Sequence, residues 1–173
     1  MITIISSSNR RGNKTQKFAD YCLKWLKEQG EEVHVFSLDE LPENLDLNEV
    51  YNYESSVFTD IAKKFIIPAS KLYFVVPEYN GSIPGVLKLF MDGVKPEYYA
   101  GKKAALLGVA AGRAGNLRGM DHLTDVLHYL QVEVMALKLP VSQIYNILDA
   151  EGNVIDEPTK MAINSQLTKF INY

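Results

Sequence analysis

One nine-residue stretch organises this chain, and it reads Pro77-Glu78-Tyr79-Asn80-Gly81-Ser82-Ile83-Pro84-Gly85. It follows residues 72–76, an apolar run rich in β-forming residues that is too short for a typical helix, so a buried strand leads into it. Residues 86–91 have helix-forming side chains, and Pro84 stands near the first turn, where a missing N–H costs little. The stretch is therefore predicted to be a strand-to-helix loop, which we call the second loop.

The second loop has the position and composition of a ligand-binding loop. Loops at the carboxyl ends of parallel strands are where open α/β sheets bind ligands. Asn80 and Gly81 both tolerate a positive φ, and such a pair brings backbone N–H groups close to a docked molecule. The alternative is an ordinary connection between a strand and a helix.

A second polar stretch reads Ser6-Ser7-Ser8-Asn9-Arg10-Arg11-Gly12-Asn13-Lys14-Thr15, and we call it the first loop. It directly follows residues 2–5, an apolar run that also predicts a buried strand, and it precedes a helical pattern. Hydroxyl donors, Arg side chains and backbone N–H groups at a helix start are what a dianionic phosphate requires. The alternative is a polar turn in which Asn13 or Thr15 caps the helix without any ligand.

Two familiar nucleotide-binding motifs are absent from the first loop. The run Gly12-Asn13-Lys14-Thr15 is similar to part of the triphosphate-binding loop, but that motif requires Gly directly before Lys and another Gly five residues earlier, where Ser8 stands. The fingerprint Gly-x-Gly-x-x-Gly is also missing after the first predicted strand. The sequence therefore argues against a nicotinamide cofactor bound in the usual Rossmann manner.

Together the two loops resemble those of a known family, the NAD(P)H-dependent FMN reductases, which are flavodoxin-like enzymes that include quinone, chromate and azo-dye reductases. Residues 77–88 match the family's Pro-Glu-Tyr-Asn-x-Ser-x-Pro-Gly-x-Leu-Lys loop. The family's phosphate loop commonly reads Gly-Ser-x-Arg-x-x-Ser, so Ser8 and Arg10 match it. Ser7 replaces the Gly of that pattern, and Asn13 replaces its later Ser.

The resemblance implies that FMN is bound with its phosphate at the first loop and its ring at the second, where backbone N–H groups of residues 78–82 would contact the ring edge. NAD(P)H is then the co-substrate, and hydride passes to the flavin and on to a quinone, free flavin, azo compound or similar acceptor by a ping-pong scheme. No catalytic acid or base and no metal is expected. The residues expected to bind the cofactor are Ser6, Ser8, Arg10, Asn13, Lys14, Thr15, Pro77, Glu78, Tyr79, Asn80, Gly81, Ser82 and Gly112.

Two other classes of function stay open at this point. One is an electron carrier like a flavodoxin, which binds FMN without reducing a substrate directly. Such carriers are usually strongly acidic around the flavin, whereas this chain has a net charge of −3 and carries Arg10 and Arg11 in the first loop. The other is a flavin-based redox sensor that controls a partner protein, and the sequence does not distinguish it from a reductase.

Alternation of strand and helix patterns predicts a parallel sheet covered on both faces. We expect a flavodoxin-like three-layer sandwich with a five-stranded sheet in the order 2-1-3-4-5, in one domain of residues 1–173. That order brings both loops to one crevice, with the turn at residues 111–116 beside them. In this turn Gly112 and Asn116 are candidates to border the substrate, with a purely connecting role as the alternative. Strands are predicted at residues 2–5, 33–36, 72–76, 104–110 and 132–137, and helices at 13–28, 55–65, 86–91, 117–130 and 156–172.

Composition narrows the class of partner. The 173 residues are 47% hydrophobic, enough for a core, and the charge of −3 without a basic tract argues against nucleic acid. No apolar run has the length of a membrane span, and no signal-like segment follows Met1, so we expect a cytoplasmic protein without a membrane partner. The single cysteine, Cys22, lies in a helical pattern and is predicted to be a packed thiol.

The resemblance further implies a homodimer or a dimer of dimers, in which each flavin is bordered by the partner subunit. The candidate interface residues lie just after the second loop, and the alternative for all of them is packing within the subunit. They are Leu89, Phe90, Met91, Tyr98 and Tyr99.

Overall fold

The computed structural model describes residues 1–53 and 56–173, and it alternates strands with helices as predicted. The strands are β1 (Ile2–Ser6), β2 (Val33–Ser37), β3 (Lys71–Pro77), β4 (Lys103–Val109), β5 (Glu133–Val134) and β6 (Leu139–Val141). The helices are α1 (Thr15–Glu28), α2 (Ser56–Ile61), α3 (Gly85–Gly93), α4 (Leu117–Tyr129) and α5 (Glu157–Ile171). Short 3₁₀ segments cover Leu38–Glu40, Leu47–Tyr51, Pro96–Tyr98 and Ile144–Asn146, and a π-helical turn, Ala62–Ile66, continues α2.

The strands form a parallel sheet in the order β2-β1-β3-β4-β5, which confirms the predicted order. Ser6, the last residue of β1, pairs with Ser37 of β2 and with Val75 of β3. Because β1 and β3 run side by side in the same direction, the loops that follow them leave the same edge of the sheet. This register places the first and second loops next to each other.

The sheet is buried on both faces, as a parallel sheet requires. Alternate side chains of β3 point to opposite layers: Phe74 packs with α2, α3 and α4, and Tyr73 packs with α1 and α5. The same alternation separates Ile5 from Ile4 in β1. The predicted three-layer sandwich is therefore confirmed.

The fifth predicted strand, at residues 132–137, is wrong in its extent. β5 ends at Val134, the N–H of Lys138 donates to the carbonyl of Ala136, and pairing with β4 resumes in β6. Buried Gln166 of α5 explains the break, because its Nε2 donates to the carbonyl oxygens of Leu106 and Leu137, each at 2.9 Å. The carbonyl of Leu137 thus bonds to a helix in place of a neighbouring strand.

The segment before α2 follows its prediction only in part. The turn-rich, acidic composition of residues 38–54 predicts mostly irregular structure, and the structure gives this region two short 3₁₀ helices. The helix predicted at 55–65 is found as α2 and its π-helical continuation. Residues 54 and 55, which these predictions include, lie outside the described residues.

Burial decides two further predictions. Cys22 is fully buried, and burial raises the pKa of its thiol to about 12, so the predicted packed thiol is confirmed. Phe90, Met91 and Tyr99 are buried in the core, so their proposed place in a dimer interface is wrong and the alternative of packing within the subunit holds for them. Leu89 and Tyr98 are only partly buried. Among the described residues, no helix is long and apolar enough to cross a membrane.

Candidate functional site

A cavity of about 190 Å³ opens at the carboxyl ends of β1, β3 and β4. It lies between the first loop, the second loop and the turn after β4, which we call the third loop (residues 110–116). A segment after β6 closes its remaining side. Its lining residues are Arg10, Arg11, Gly12, Asn13, Lys14, Thr15, Pro77, Glu78, Tyr79, Val109, Ala110, Ala111, Ile144 and Tyr145.

The first loop curls back on itself before α1 begins. Asn13 donates from its backbone N–H and from Nδ2 to the carbonyl of Arg10, at 3.1 and 2.9 Å. Its Oδ1 accepts from the N–H of Gln16 at 2.9 Å, so the side chain of Asn13, one residue before the N-cap Lys14, caps the first turn of α1. The capping role predicted as an alternative for Asn13 is therefore present, and its side chain serves the helix.

Capping leaves several donors of the first loop without a partner. Within residues 1–53 and 56–173, the backbone N–H groups of Arg11, Gly12, Lys14 and Thr15 donate no hydrogen bond. Unpaired N–H groups at a helix N-terminus attract an anion, because the helix dipole adds a partial positive charge there. The guanidinium of Arg10 and the side chains of Arg11 and Lys14 line the same cavity. This donor set fits a dianionic phosphate.

One of these cations already has an acidic partner. Arg11 forms an ion pair with Glu43, and both side chains are more than three-quarters exposed. An exposed pair of this kind contributes at most about 1 kcal/mol, so it does not hold Arg11 firmly. Arg10 has no acidic partner among the described residues, and its guanidinium carbon lies 5.9 Å from the centroid of the Tyr79 ring.

The second loop is a tight hairpin turn. The N–H of Tyr79 donates to the carbonyl of Ser82 at 2.9 Å, and the N–H of Ser82 donates to the carbonyl of Tyr79 at 3.0 Å. Asn80 and Gly81 lie between them with φ of 51° and 76°, the pattern of a type I′ turn. The N–H of Glu78 donates to the carbonyl of Val109. Of residues 78–82, only Asn80 and Gly81 keep N–H groups that bond to nothing else in the described chain.

The two loops are joined by a side-chain contact. The Oγ of Ser8 and the hydroxyl of Tyr79 are 2.8 Å apart, and the backbone N–H of Arg10 donates to the same Oγ at 3.3 Å. The phenol of Tyr79 therefore touches the first loop through Ser8 and lies near the guanidinium of Arg10. A shift of either loop disturbs the other.

Seven of the thirteen predicted site residues line the cavity: Arg10, Asn13, Lys14, Thr15, Pro77, Glu78 and Tyr79. The other six do not line it. Ser6 and Ser8 are fully buried, and the hydroxyl of Ser6 has no partner among the described residues. Asn80, Gly81 and Ser82 lie in the turn beside the cavity, and Gly112 lies in the third loop, where its carbonyl accepts from the N–H of Gln143.

Asn116 has a structural role and does not border the cavity. It is fully buried with φ of 65°, and its Nδ2 donates to the carbonyl of Val76 at 2.9 Å. This bond ties the third loop to the end of β3. The connecting role considered for Asn116 is the one that the structure gives it.

Ile144 and Tyr145, which follow β6, line the cavity although neither was predicted as a site residue. The N–H of Ile144 donates to the carbonyl of Ala110 at 3.2 Å, and that of Gln143 donates to Gly112 at 3.0 Å, so this segment folds over the third loop. Ile144 is buried, whereas Tyr145 is 68% exposed at the cavity rim. The signal that the sequence offers is an aromatic side chain, Tyr145, in the connection that follows the last predicted strand.

The described residues contain no group of three or more His, Cys, Asp or Glu side chains that could hold a metal ion. His122 and His128 stand on α4, and His122 contacts Ser82 of the second loop.

Comparison with solved structures shows that this architecture is a flavodoxin-like fold. The flavoenzyme NAD(P)H:(acceptor) oxidoreductase FerB from Paracoccus denitrificans has a TM-score of 0.80 and 22% identity, with 99% of this chain and 95% of that one covered. Flavodoxin 1 from Bacillus cereus has a TM-score of 0.59 and 15% identity, with 99% and 97% covered. At these identities the likeness shows the fold alone, and it confirms the flavodoxin-like prediction.

Sequence comparison gives the family. The model of the NADPH-dependent FMN reductases matches residues 1–145, and this chain belongs to that family. An NAD(P)H-dependent FMN reductase of Pseudomonas aeruginosa is 39% identical over 103 residues, which are 57% of this chain and 56% of that protein. A 2-hydroxy-1,4-benzoquinone reductase of a Burkholderia species is 31% identical over 127 residues, 69% of each chain. The match thus spans little more than half of the Pseudomonas relative's length.

Proposed function

We propose that this chain is an FMN-dependent NAD(P)H oxidoreductase that passes hydride from a nicotinamide to bound flavin and then to a small-molecule acceptor. The observation that carries the proposal is the meeting of two unlike loops at one cavity between β1 and β3. The first loop offers cations and unpaired N–H groups, and the second offers a rigid turn with two unpaired N–H groups. Membership of the NADPH-dependent FMN reductase family supports the same function.

The residues divide between the two ends of the cofactor. The phosphate would be held by the N–H groups of Arg11, Gly12, Lys14 and Thr15 and by the guanidinium of Arg10. The ring edge would accept hydrogen bonds from the N–H groups of Asn80 and Gly81. When bound, FMN would supply the hydride transfer, and the protein would supply its binding and orientation.

The chain's own contribution is binding, orientation and electrostatics. Donors that are fixed before the reaction stabilise developing negative charge without reorganising at the moment of transfer. The turn of the second loop meets this requirement, because its two cross-turn hydrogen bonds fix the N–H groups of Asn80 and Gly81. Glu78 lines the cavity, and its carboxylate forms no ion pair among the described residues.

Quinones, free flavins and azo compounds are the acceptors that we propose. The relatives named above are an FMN reductase and a benzoquinone reductase, which fits acceptors with flat conjugated rings. We propose a ping-pong scheme in which the oxidised nicotinamide, NAD(P)+, leaves after it has given up its hydride and before the acceptor enters. The alternatives are an electron carrier and a redox sensor, neither of which oxidises NAD(P)H at the expense of a small quinone.

The test uses the purified chain in two steps. Titration with FMN, followed by quenching of flavin fluorescence, is expected to give saturable binding. The loaded protein is then supplied with NADPH or NADH and a small quinone, and nicotinamide oxidation is followed at several quinone concentrations. Double-reciprocal plots are expected to be parallel, as in a ping-pong scheme. Absence of flavin binding would remove the proposal, and flavin binding without nicotinamide oxidation would favour a carrier or sensor.

We also propose a homodimer, for which Leu89 and Tyr98 remain candidate interface residues because both are partly exposed. Sedimentation velocity at micromolar concentration is expected to give a dimer, and a monomer with full activity would contradict it. The cytoplasmic location stays a prediction.

A further inference from the structure

The second loop has a contact on its outer side that the proposed cofactor contacts do not use. The Oγ of Ser82 lies 2.8 Å from Nδ1 of His122, which stands on α4 forty residues further along the chain. Ser82 is half-buried, and His122 is exposed. This hydrogen bond connects the turn of the second loop to a helix that packs against the sheet.

Ser82 sits at one of the two ends of the turn. Its backbone pairs with Tyr79 in both directions, and Asn80 and Gly81 are held between these two residues. At the opposite end, the hydroxyl of Tyr79 contacts Ser8 at 2.8 Å. The turn is therefore held by one side-chain hydrogen bond at each end, Tyr79 to the first loop and Ser82 to α4.

The start of α4 has a fixed position relative to the second loop. Asn116 donates to the carbonyl of Val76 at the end of β3, and Gly119 approaches Ser82 so closely that a Cβ on Gly119 would lie 2.9 Å from the Ser82 carbonyl carbon. His122 follows Gly119 by three residues, so it lies on the same side of the helix. A hydrogen bond from this anchored helix fixes the Ser82 end of the turn.

We propose that His122 is a positioning residue for flavin: through Ser82 it fixes the turn so that the N–H groups of Asn80 and Gly81 point at the ring edge. The inference rests on the proposed function, because it assigns His122 to the ring end of the same site. His122 acts through Ser82 and transfers no proton in this role. Removal of the bond leaves the Ser82 end of the turn without its side-chain anchor, and part of the binding free energy is then spent on ordering the turn.

The experiment compares flavin affinities of folded variants. FMN and riboflavin are titrated separately into the unmodified chain, Ser82→Ala, His122→Leu, the double variant and His122→Asn, with His128→Leu as the control on the same helix. Asn carries a polar atom on Cγ at the place of Nδ1, so His122→Asn keeps a partner for Ser82. Thermal unfolding of each variant is recorded alongside, because both side chains lie at the surface and their loss leaves the core intact.

Ser82→Ala and His122→Leu are each expected to weaken the binding of FMN and of riboflavin by the same factor, about fivefold, which corresponds to the loss of one hydrogen bond. The double variant is expected to bind flavin no more weakly than either single variant. The flavin affinity of His122→Asn is expected to stay within about twofold of that of the unmodified chain. The control, His128→Leu, is expected to bind flavin like the unmodified chain.

Affinities unchanged in Ser82→Ala would overturn the inference, and so would a loss restricted to FMN, because that would place the effect at the phosphate end. If His122→Leu fails to fold, the flavin affinities of Ser82→Ala and His122→Asn still test the inference. A chain that binds neither flavin overturns the proposed function and this inference together, whereas normal binding by every variant overturns the inference alone.

Discussion

The first and second loops leave the same edge of the sheet, yet they are built on opposite principles. The first loop keeps several of its backbone donors unpaired and surrounds them with Arg10, Arg11 and Lys14. The second loop pairs Tyr79 with Ser82 within its own turn, bonds the N–H of Glu78 to Val109 of β4, and leaves two N–H groups unpaired. One loop offers charge and many donors, and the other offers two donors in a fixed geometry.

This difference predicts how each loop responds to a change. Binding of a dianion by exposed cations weakens as salt screens the charges, whereas hydrogen bonds from a rigid turn depend mainly on backbone conformation. Changes of charge should therefore act on the first loop, and changes of backbone freedom on the second. Because the bond between Ser8 and Tyr79 joins the two loops, a change in one loop can also affect the other through it.

The largest effect is expected from Gly81→Val. Gly81 has φ of 76°, and a β-branched residue in that conformation costs roughly 1 to 3 kcal/mol, so the turn should open. FMN and riboflavin are both expected to bind about a hundredfold more weakly, measured by fluorescence titration. Gly81→Asn is the matched control, because Asn tolerates positive φ and should keep most of the affinity. Equal affinity of the Val variant would show that the turn geometry is not used.

A smaller effect, confined to one ligand, is expected from Arg10→Ala. Loss of a charge-assisted hydrogen bond of about 1.5 to 3 kcal/mol should lower the affinity for FMN by roughly one to two decades. It should also reduce the salt dependence of FMN binding. Riboflavin, which lacks the phosphate, should bind the variant and the unmodified chain alike. The assignment of the first loop to the phosphate would be wrong if riboflavin bound the unmodified chain as tightly as FMN.

The smallest effect is expected from Glu78→Gln. Its backbone N–H bonds to Val109, and the substitution leaves that bond in place, so turnover with FMN bound should stay within about threefold. This turnover is measured as steady-state oxidation of NAD(P)H in the presence of a quinone. A thousandfold loss of turnover with FMN still bound would instead identify a catalytic carboxylate, because acid–base catalysis is worth about a hundredfold to ten-thousandfold.

The strand predictions succeeded where burial on both faces leaves a continuous apolar run. β1 and β3 are such runs, and both lie where the pattern placed them. The extent predicted for the fifth strand was wrong because the carbonyl of Leu137 bonds to Gln166, a residue of α5 that the local pattern around 132–137 does not contain. A strand boundary set by a distant helix leaves no local trace.

The candidate site, like the set of strands, could be predicted from the sequence only in part. Arg10, Tyr79 and their neighbours could be found because each loop directly follows a strand and its residue types match a specific chemistry. Ile144 and Tyr145 reach the cavity only through backbone bonds to the third loop, so their position depends on how the chain returns over the sheet.

The sequence by itself determined the alternation of strands and helices, the residue types of both loops and the positive-φ turn at Asn80 and Gly81, because these follow from local hydrophobicity and local backbone preference. Only the tertiary structure decided which N–H groups stay unpaired, which side chains join the loops and how β5 is interrupted. Each of these depends on partners distant in the chain, and a hydrogen bond between such groups exists only when packing brings them within about 3 Å.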